Sequence, residues 1–393
     1  MNTRLLPILL LLALLLSMPL QTLQAQPQQE KIDTVAKTVM ALHHIPNLEV
    51  GIIANQQLIW NKGYSLQAYT DDTPNIHSIF QAGSISKTIT AIAILQLHEQ
   101  GIVDLDEDIN TYLPFPLRSP NYPNTPITLR NILSHSSGLT NQQWRQFFYF
   151  SILNYPNSLL KEYLLPDGII YDDKVWGDWA PSQGSFYSSI GMEIAEYILE
   201  LTTNTSFAEY CKTCIFQPLE MYNTSFELND LPIEQMMPAY FRLPFVYLTV
   251  PTYENHNYAA GGMRTSLNDL SHIVICMQNN GTYNQTQILS ATSIQEMKTI
   301  QYPSSIKPKG QVVVDNREFG LGWLIYPENQ SKLGYFYQGH SGTVPGGVAG
   351  MYLTNDVGII YFGNQWTTAN PINHRLRMML VNNLFEEAQS LTT

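Results

Sequence analysis

Cysteine is scarce in this chain. Cys211, Cys214 and Cys276 are the only three in 393 residues, and so low and odd a count argues against a disulfide framework. Cys211-Lys212-Thr213-Cys214 has the spacing of a redox or metal half-site, but no second pair and no clustered histidines complete a zinc centre. The pair lies in the stretch 207–216, whose apolar residues read as a helix facing the core, so the cysteines read as structural. Charge is sparse too, at 13% of residues, and basic side chains are outnumbered 20 to 32 for a net charge of −12. That balance makes nucleic acid and anionic lipid poor partners. There is no Gly-x-Ser-x-Gly elbow. Gly339-His-Ser-Gly-Thr343 falls one glycine short of the signature that marks an α/β-hydrolase nucleophile. Internal repeats and low-complexity linkers are also missing.

The first 25 residues carry one charged side chain, Arg4, followed by an almost wholly apolar run from Leu5 to Leu20 broken by Pro7 and Pro19. This pattern reads as a secretory signal peptide cleaved near Ala25. The run is short for a spanning helix. A secreted or periplasmic protein is expected, attached to a membrane only if the segment stays uncleaved. The remainder, residues 26–393, is long enough for a large core.

The pattern of elements is ordered along the chain. A helix is expected over 30–42, then strands over 48–54 and 57–64 joined at Asn55-Gln56. The middle reads as helical: 88–99, 129–133, 190–202, 207–215 and 267–277, the last introduced by the capping box of Ser266 and Asp269. Strands return at 320–326, 334–339, 348–353 and 357–362, and a helix over 371–387 closes the chain. The stretches 141–182 and 236–258 are aromatic-rich and irregular. Strands at both ends with helices between imply an α+β fold. One antiparallel sheet is drawn from both termini (about 30–65 and 310–388) beside a helical lobe (about 85–280).

Ser84-Ile85-Ser86-Lys87 carries the chemistry. It opens the apolar run of the expected helix 88–99. Residues i and i+3 share a helix face, with Cβ atoms roughly 5–6 Å apart. A lysine there can take the serine's proton when burial and neighbours keep part of it neutral. The unpaired N–H groups of a helix start can also face a developing oxyanion. Two further groups could complete such a site: Tyr187-Ser188-Ser189, just before a helix, and His340-Ser341-Gly342, at the end of a strand-like run.

Taken in order, these stretches resemble the serine β-lactamase and penicillin-binding-protein superfamily. The likeness is to its branch with a Tyr-x-Asn second motif: class C β-lactamases, D-alanyl-D-alanine carboxypeptidases, D-aminopeptidases and related esterases. Supporting segments are Phe80-Gln-Ala-Gly-Ser-Ile-Ser-Lys87, Ile127-Thr-Leu-Arg-Asn-Ile-Leu-Ser-His-Ser-Ser-Gly-Leu139, Ile215-Phe-Gln-Pro-Leu-Glu-Met221, Ala259-Ala-Gly-Gly-Met-Arg-Thr-Ser266 and Gly339-His-Ser-Gly-Thr-Val-Pro-Gly346. The resemblance covers roughly residues 30–387. It implies a β-lactamase/transpeptidase-like fold and a covalent acyl-enzyme, with no metal or cofactor. By this resemblance Ser84 is the nucleophile and Lys87 its proton-handling partner. Tyr187 relays a proton to the leaving group, and His340 replaces a lysine common in the third motif. The backbone N–H groups of Ser84 and Thr343 form the oxyanion hole, while Ser189, Ser341 and Gly342 line the substrate site. Ser189 departs from the pattern, because an asparagine usually stands there and serine offers one donor in place of an amide. The expected substrate is a small molecule or peptide with an amide, lactam or ester bond. A carboxylesterase, or a non-hydrolytic receptor for penicillin or cell-wall fragments, are the alternatives. The oligomeric state is not readable.

Overall fold

A computed structural model of the chain describes residues 21–67, 70, 72–141, 160–243, 246–254, 258–302, 317–329, 331, 334–365 and 371–392. Most of the expected signal peptide, residues 1–20, lies outside these, as do Trp144, Phe147, Phe148, Tyr149 and Phe245 of the aromatic stretches. No described helix is long and apolar enough to cross a membrane.

Helix α1 (Gln21–His43) leads into strands β1 (Asn47–Ala54) and β2 (Gln57–Ser65). Asn55 and Gln56 both adopt positive φ, 51° and 59°, which gives the primed turn whose twist matches a two-residue hairpin. After the short strand β3 (Ile79–Gln81) come α2 (Ser86–Glu99), α3 (Leu129–Leu133), α4 (Leu160–Leu164), α5 (Ser189–Thr203) and α6 (Phe207–Cys211). Strands β4 (Ala239–Leu243) and β5 (Val246–Val250) form a hairpin, and β6 (Arg264–Ser266) pairs with β3. Helix α7 (Leu267–Gln278) precedes the small hairpin β7 (Thr282–Tyr283) and β8 (Thr286–Gln287), and α8 (Ala291–Met297) follows. The final run is β9 (Glu318–Phe319), β10 (Leu324–Tyr326), β11 (Tyr337–Val344), β12 (Gly347–Leu353), β13 (Val357–Gly363) and α9 (Pro371–Thr392).

The main sheet has the order β2-β1-β13-β12-β11-β10-β9, and its neighbouring strands pair antiparallel. Leu48 lies opposite Gly363 and Ala54 opposite Val357, so the first and last long strands are adjacent, as the order of elements implied. Strand alternation sorts the two faces. Leu48, Val50 and Ile52 of β1 and Val357, Ile359 and Tyr361 of β13 pack with Val39 and Met40 of α1 and with Val381, Leu384 and Phe385 of α9. Ile53, Met351, Ile360 and Phe362 point the other way, into a larger core shared with α2, α5 and α7. Residues 86–97 of α2 are all buried, in keeping with a helix that is apolar almost all round.

Three expectations need correction. Of the strand expected over 320–326 only Leu324–Tyr326 is strand, because the chain turns at residues 320–323, closed by Gly320 N–H to Trp323 O at 2.9 Å, and β9 lies before that turn. The region 236–258, read as irregular, contains the β4–β5 hairpin, which docks through Tyr240 N–H to Asn364 O, 2.9 Å. Finally, the helix expected over 207–215 changes hydrogen-bonding pattern, as α6 ends at Cys211 and a π-helical turn occupies Lys212–Phe216. Cys211, Cys214 and Cys276 are free thiols.

Candidate active site

Ser84 sits in a single 3₁₀ turn, Gly83–Ile85, that runs directly into α2. It is partly exposed, whereas Lys87, one turn on, is fully buried. Lys87 Nζ lies 3.3 Å from Ser84 Oγ and donates to Ala260 O at 2.6 Å. An amine held this close to a hydroxyl on the same helix face is the arrangement that proton transfer requires. The turn at 320–323 seals the other side. Gly322, at φ +58°, packs so tightly that a Cβ there would lie 2.5 Å from Lys87 O.

The third element is β11. His340, Ser341 and Gly342 lie within this strand rather than at its end, each paired across to β12. Gly83 and Gly342 bring the serine turn against it. A Cβ on Gly83 would lie 2.8 Å from Thr343 N, and one on Gly342 would lie 2.9 Å from Ser84 N. The backbone nitrogens of Ser84 and Thr343 are thereby held on neighbouring segments. Thr343 is exposed, so a substrate oxygen can reach that edge. His340 is buried, and its Nδ1 meets Ser341 O at 2.8 Å. With Nδ1 donating, Nε2 is left as an acceptor, without a partner among the described residues. Burial and then the nearby Lys87 push its pKa down to about 3. His340 is therefore a neutral acceptor, not a substitute for a lysine's charge.

Tyr187 enters from the residues before α5. Its ring centroid is 5.0 Å from Lys87 Nζ, a cation–π distance, and 6.3 Å from the His340 ring. Among the described residues its hydroxyl makes no hydrogen bond to Ser84. Ser189 opens α5, and its backbone N–H donates to Asn141 Oδ1 at 3.2 Å.

Three site residues were not singled out from the sequence. His135 follows α3, which a capping box of Thr128 and Asn131 starts. It is buried at φ +58°, 4.5 Å from the Tyr187 ring, and its Nδ1 accepts from Ser188 N–H at 3.2 Å. Burial first, and then Lys87 and His340, hold it well below the usual histidine range, so it braces Tyr187 as a neutral ring. Arg317 lies 5.4 Å from the Tyr187 ring centroid and 5.8 Å from that of Phe319, placing a second cation beside the site. Asn141 supplies an amide next to Ser189. The motif containing His135 was visible, but nothing in the spacing linked residue 141 or 317 to Ser84.

Known proteins share the fold that carries these residues. Penicillin-binding protein 4* of Bacillus subtilis is 24% identical over 352 residues, 86% of this chain and 72% of that protein. The structure of the octameric penicillin-binding protein homologue from Pyrococcus abyssi superposes with a TM-score of 0.71 at 24% identity, covering 91% of this chain and 78% of that one. D-amino acid amidase from Ochrobactrum anthropi SV3 superposes with a TM-score of 0.71 at 18% identity, over 92% of this chain and all of that one, 100%. These likenesses establish a shared β-lactamase/transpeptidase-like fold. The model of the Beta-lactamase family matches residues 32–382, and the chain belongs to that family.

Proposed function

We propose that this protein is a serine hydrolase working through an acyl-enzyme on Ser84, with a small amide, lactam or ester as substrate. The observation that carries the reading is the approach of Lys87 Nζ to 3.3 Å from an accessible Ser84 Oγ. Ser84 Oγ attacks the acyl carbon as its proton passes to an unprotonated Lys87, and the carbonyl π pair moves onto oxygen. The N–H groups of Ser84 and Thr343 stabilise that oxyanion. Collapse expels the leaving group, which takes a proton relayed through Tyr187. Water then attacks the ester at Ser84, and the acid departs with Ser84 regenerated.

The site favours simple esters and D-amino-acid amides over β-lactams and acylated peptides. His340 adds no charge for a carboxylate, and Ser189 lacks the amide that grips an acylamide carbonyl. The relative described as a D-amino acid amidase supports the amide reading, while Ser189 supports the ester one. The apolar N-terminal segment supports a secreted or periplasmic location. The test is to treat the protein with a fluorophosphonate and measure intact mass. A single adduct on wild type, absent in Ser84→Ala, is expected. Turnover of p-nitrophenyl esters, D-amino-acid amides and nitrocefin then ranks the substrates. A labelled protein that turns over none of them is a receptor rather than an enzyme, and an unlabelled wild type ends the hydrolase reading.

A further inference from the structure

Two carboxyl groups lie behind the reactive centre. Glu193 and Glu196 stand one turn apart on α5, each 3% exposed. They project toward the turn Tyr258–Gly262, which packs between α2 and α5. Glu196 Oε2 accepts from Ala259 N–H at 3.0 Å. The same turn presents its carbonyls to α2: Ala259 O accepts from Thr90 Oγ1 at 2.8 Å, and Ala260 O from Lys87 Nζ at 2.6 Å. The turn is thus gripped by carboxyls on one side and by the ammonium on the other.

Two carboxyls buried one turn apart on the same helix cannot both ionise cheaply, so one member of the pair keeps its proton. Burial and the neighbouring Glu196 hold Glu193 well above the usual carboxyl range, which makes it the acid and Glu196 the anion. Glu193 Oε1 has no hydrogen-bond partner among the described residues. The groups facing the pair are Lys87 from α2, Cys211 from α6 and Tyr258 from the turn. Burial raises both the Cys211 thiol and the Tyr258 phenol, so both are neutral and Lys87 is the cation of the set. Lys87 itself is faced from its other side by Tyr187, His135 and His340, and Arg317 lies beyond the histidines.

We propose that Glu193 and Glu196 form a proton-sharing pair whose single negative charge, acting through the 258–262 turn, positions Lys87 and sets the pH range in which Ser84 is acylated. They are positioning residues, and their influence on catalysis rests on the acyl-enzyme reading above. A buried negative charge favours the protonated forms of its neighbours. Acylation therefore begins at higher pH with the charge present than without it.

The experiment compares wild type, Glu193→Gln and the double variant Glu193→Gln/Glu196→Gln. The single change leaves Glu196 as the anion with an amide donor beside it. The double change keeps the shape and removes the charge. Fluorophosphonate labelling rates are measured against pH, with thermal melts to verify folding. The acid limb should stay in place for Glu193→Gln and move about one unit lower in the double variant. A folded double variant with the wild-type profile would reduce the pair to scaffolding and overturn the proposal. The shared proton has its own readout. The infrared difference between wild type and Glu193→Gln should contain the C=O stretch of a buried, protonated carboxyl. Its absence would overturn the proton sharing, while failure of wild type to label would remove the hydrolase reading without touching that band.

Discussion

At the scale of single residues, position and charge state do different work. Ser84→Ala should abolish labelling and turnover on every substrate while leaving the melting temperature near wild type, because a partly exposed hydroxyl contributes little to packing. Lys87→Ala should cost about 10²–10⁴-fold in acylation rate, the usual scale for a positioned proton acceptor. His340 gives a stability signature. Its folded pKa of about 3 lies below the ordinary 6.5, so the unfolded chain binds this proton first. Stability is then fully present above about 6.5 and lost as pH falls toward 3. His340→Gln should flatten the acid side of a Tm-against-pH curve, and an unchanged slope would remove His340 from the account. Ser189→Asn should improve hydrolysis of acyl-D-amino-acid amides relative to esters by several-fold, on the scale of about 0.5–1.5 kcal/mol for one hydrogen bond. Asn141 already occupies the neighbouring space, so equal ratios in the two proteins would mean that its amide does this work. Ser84 and Lys87 were legible because their relation is local, three residues on one helix. Arg317, Asn141 and the Glu193–Glu196 pair were not, since their relation to Ser84 exists only after distant segments pack.

Individual elements show where local signals suffice. The β1–β2 hairpin was readable because Asn55-Gln56 provides the left-handed positions its turn needs. Helix α2 was readable from its apolar run. The β11 strand was placed too early, because pairing with β12 carries it through His340-Ser341-Gly342, residues with no marked strand preference of their own. Strand β1 also contains an anomaly. Glu49 is fully buried, between Gly63 and Phe362 in register, and both of its oxygens lack hydrogen-bond partners among the described residues. Burial raises its pKa to about 9. A raised folded pKa contributes stability that is whole below the unfolded value of 4.5 and is lost as pH climbs through 9. Glu49→Leu should therefore stabilise the protein by about 3 kcal/mol at pH 7, with a smaller gain near pH 5. Denaturant melts at the two pH values would measure both, and an equal gain would point to packing alone.

For the whole molecule, the fold class was legible in the order of elements, strands at both ends and helices between. A second core lies under α1 and α9, where the two helices pack together on one face of the sheet. Tyr335, Tyr337 and Phe385 make edge-on and tilted ring contacts there. Removing α9 should expose that face of β1 and β13 and prevent a cooperative unfolding transition, which calorimetry of a chain ending at residue 365 would test. A residual sharp transition would show that the sheet holds without its terminal helix.

The contact between Gly83 and Gly342 has a consequence in time as well as in space. Ser84 and Lys87 leave the ribosome well before the strand carrying the Thr343 N–H. Until that strand emerges, a growing chain holds its nucleophile and base with half of its oxyanion hole missing. Reactivity toward an acylating probe then reports that the C-terminal strands have docked, so the catalytic serine serves as a clock for completion of the fold.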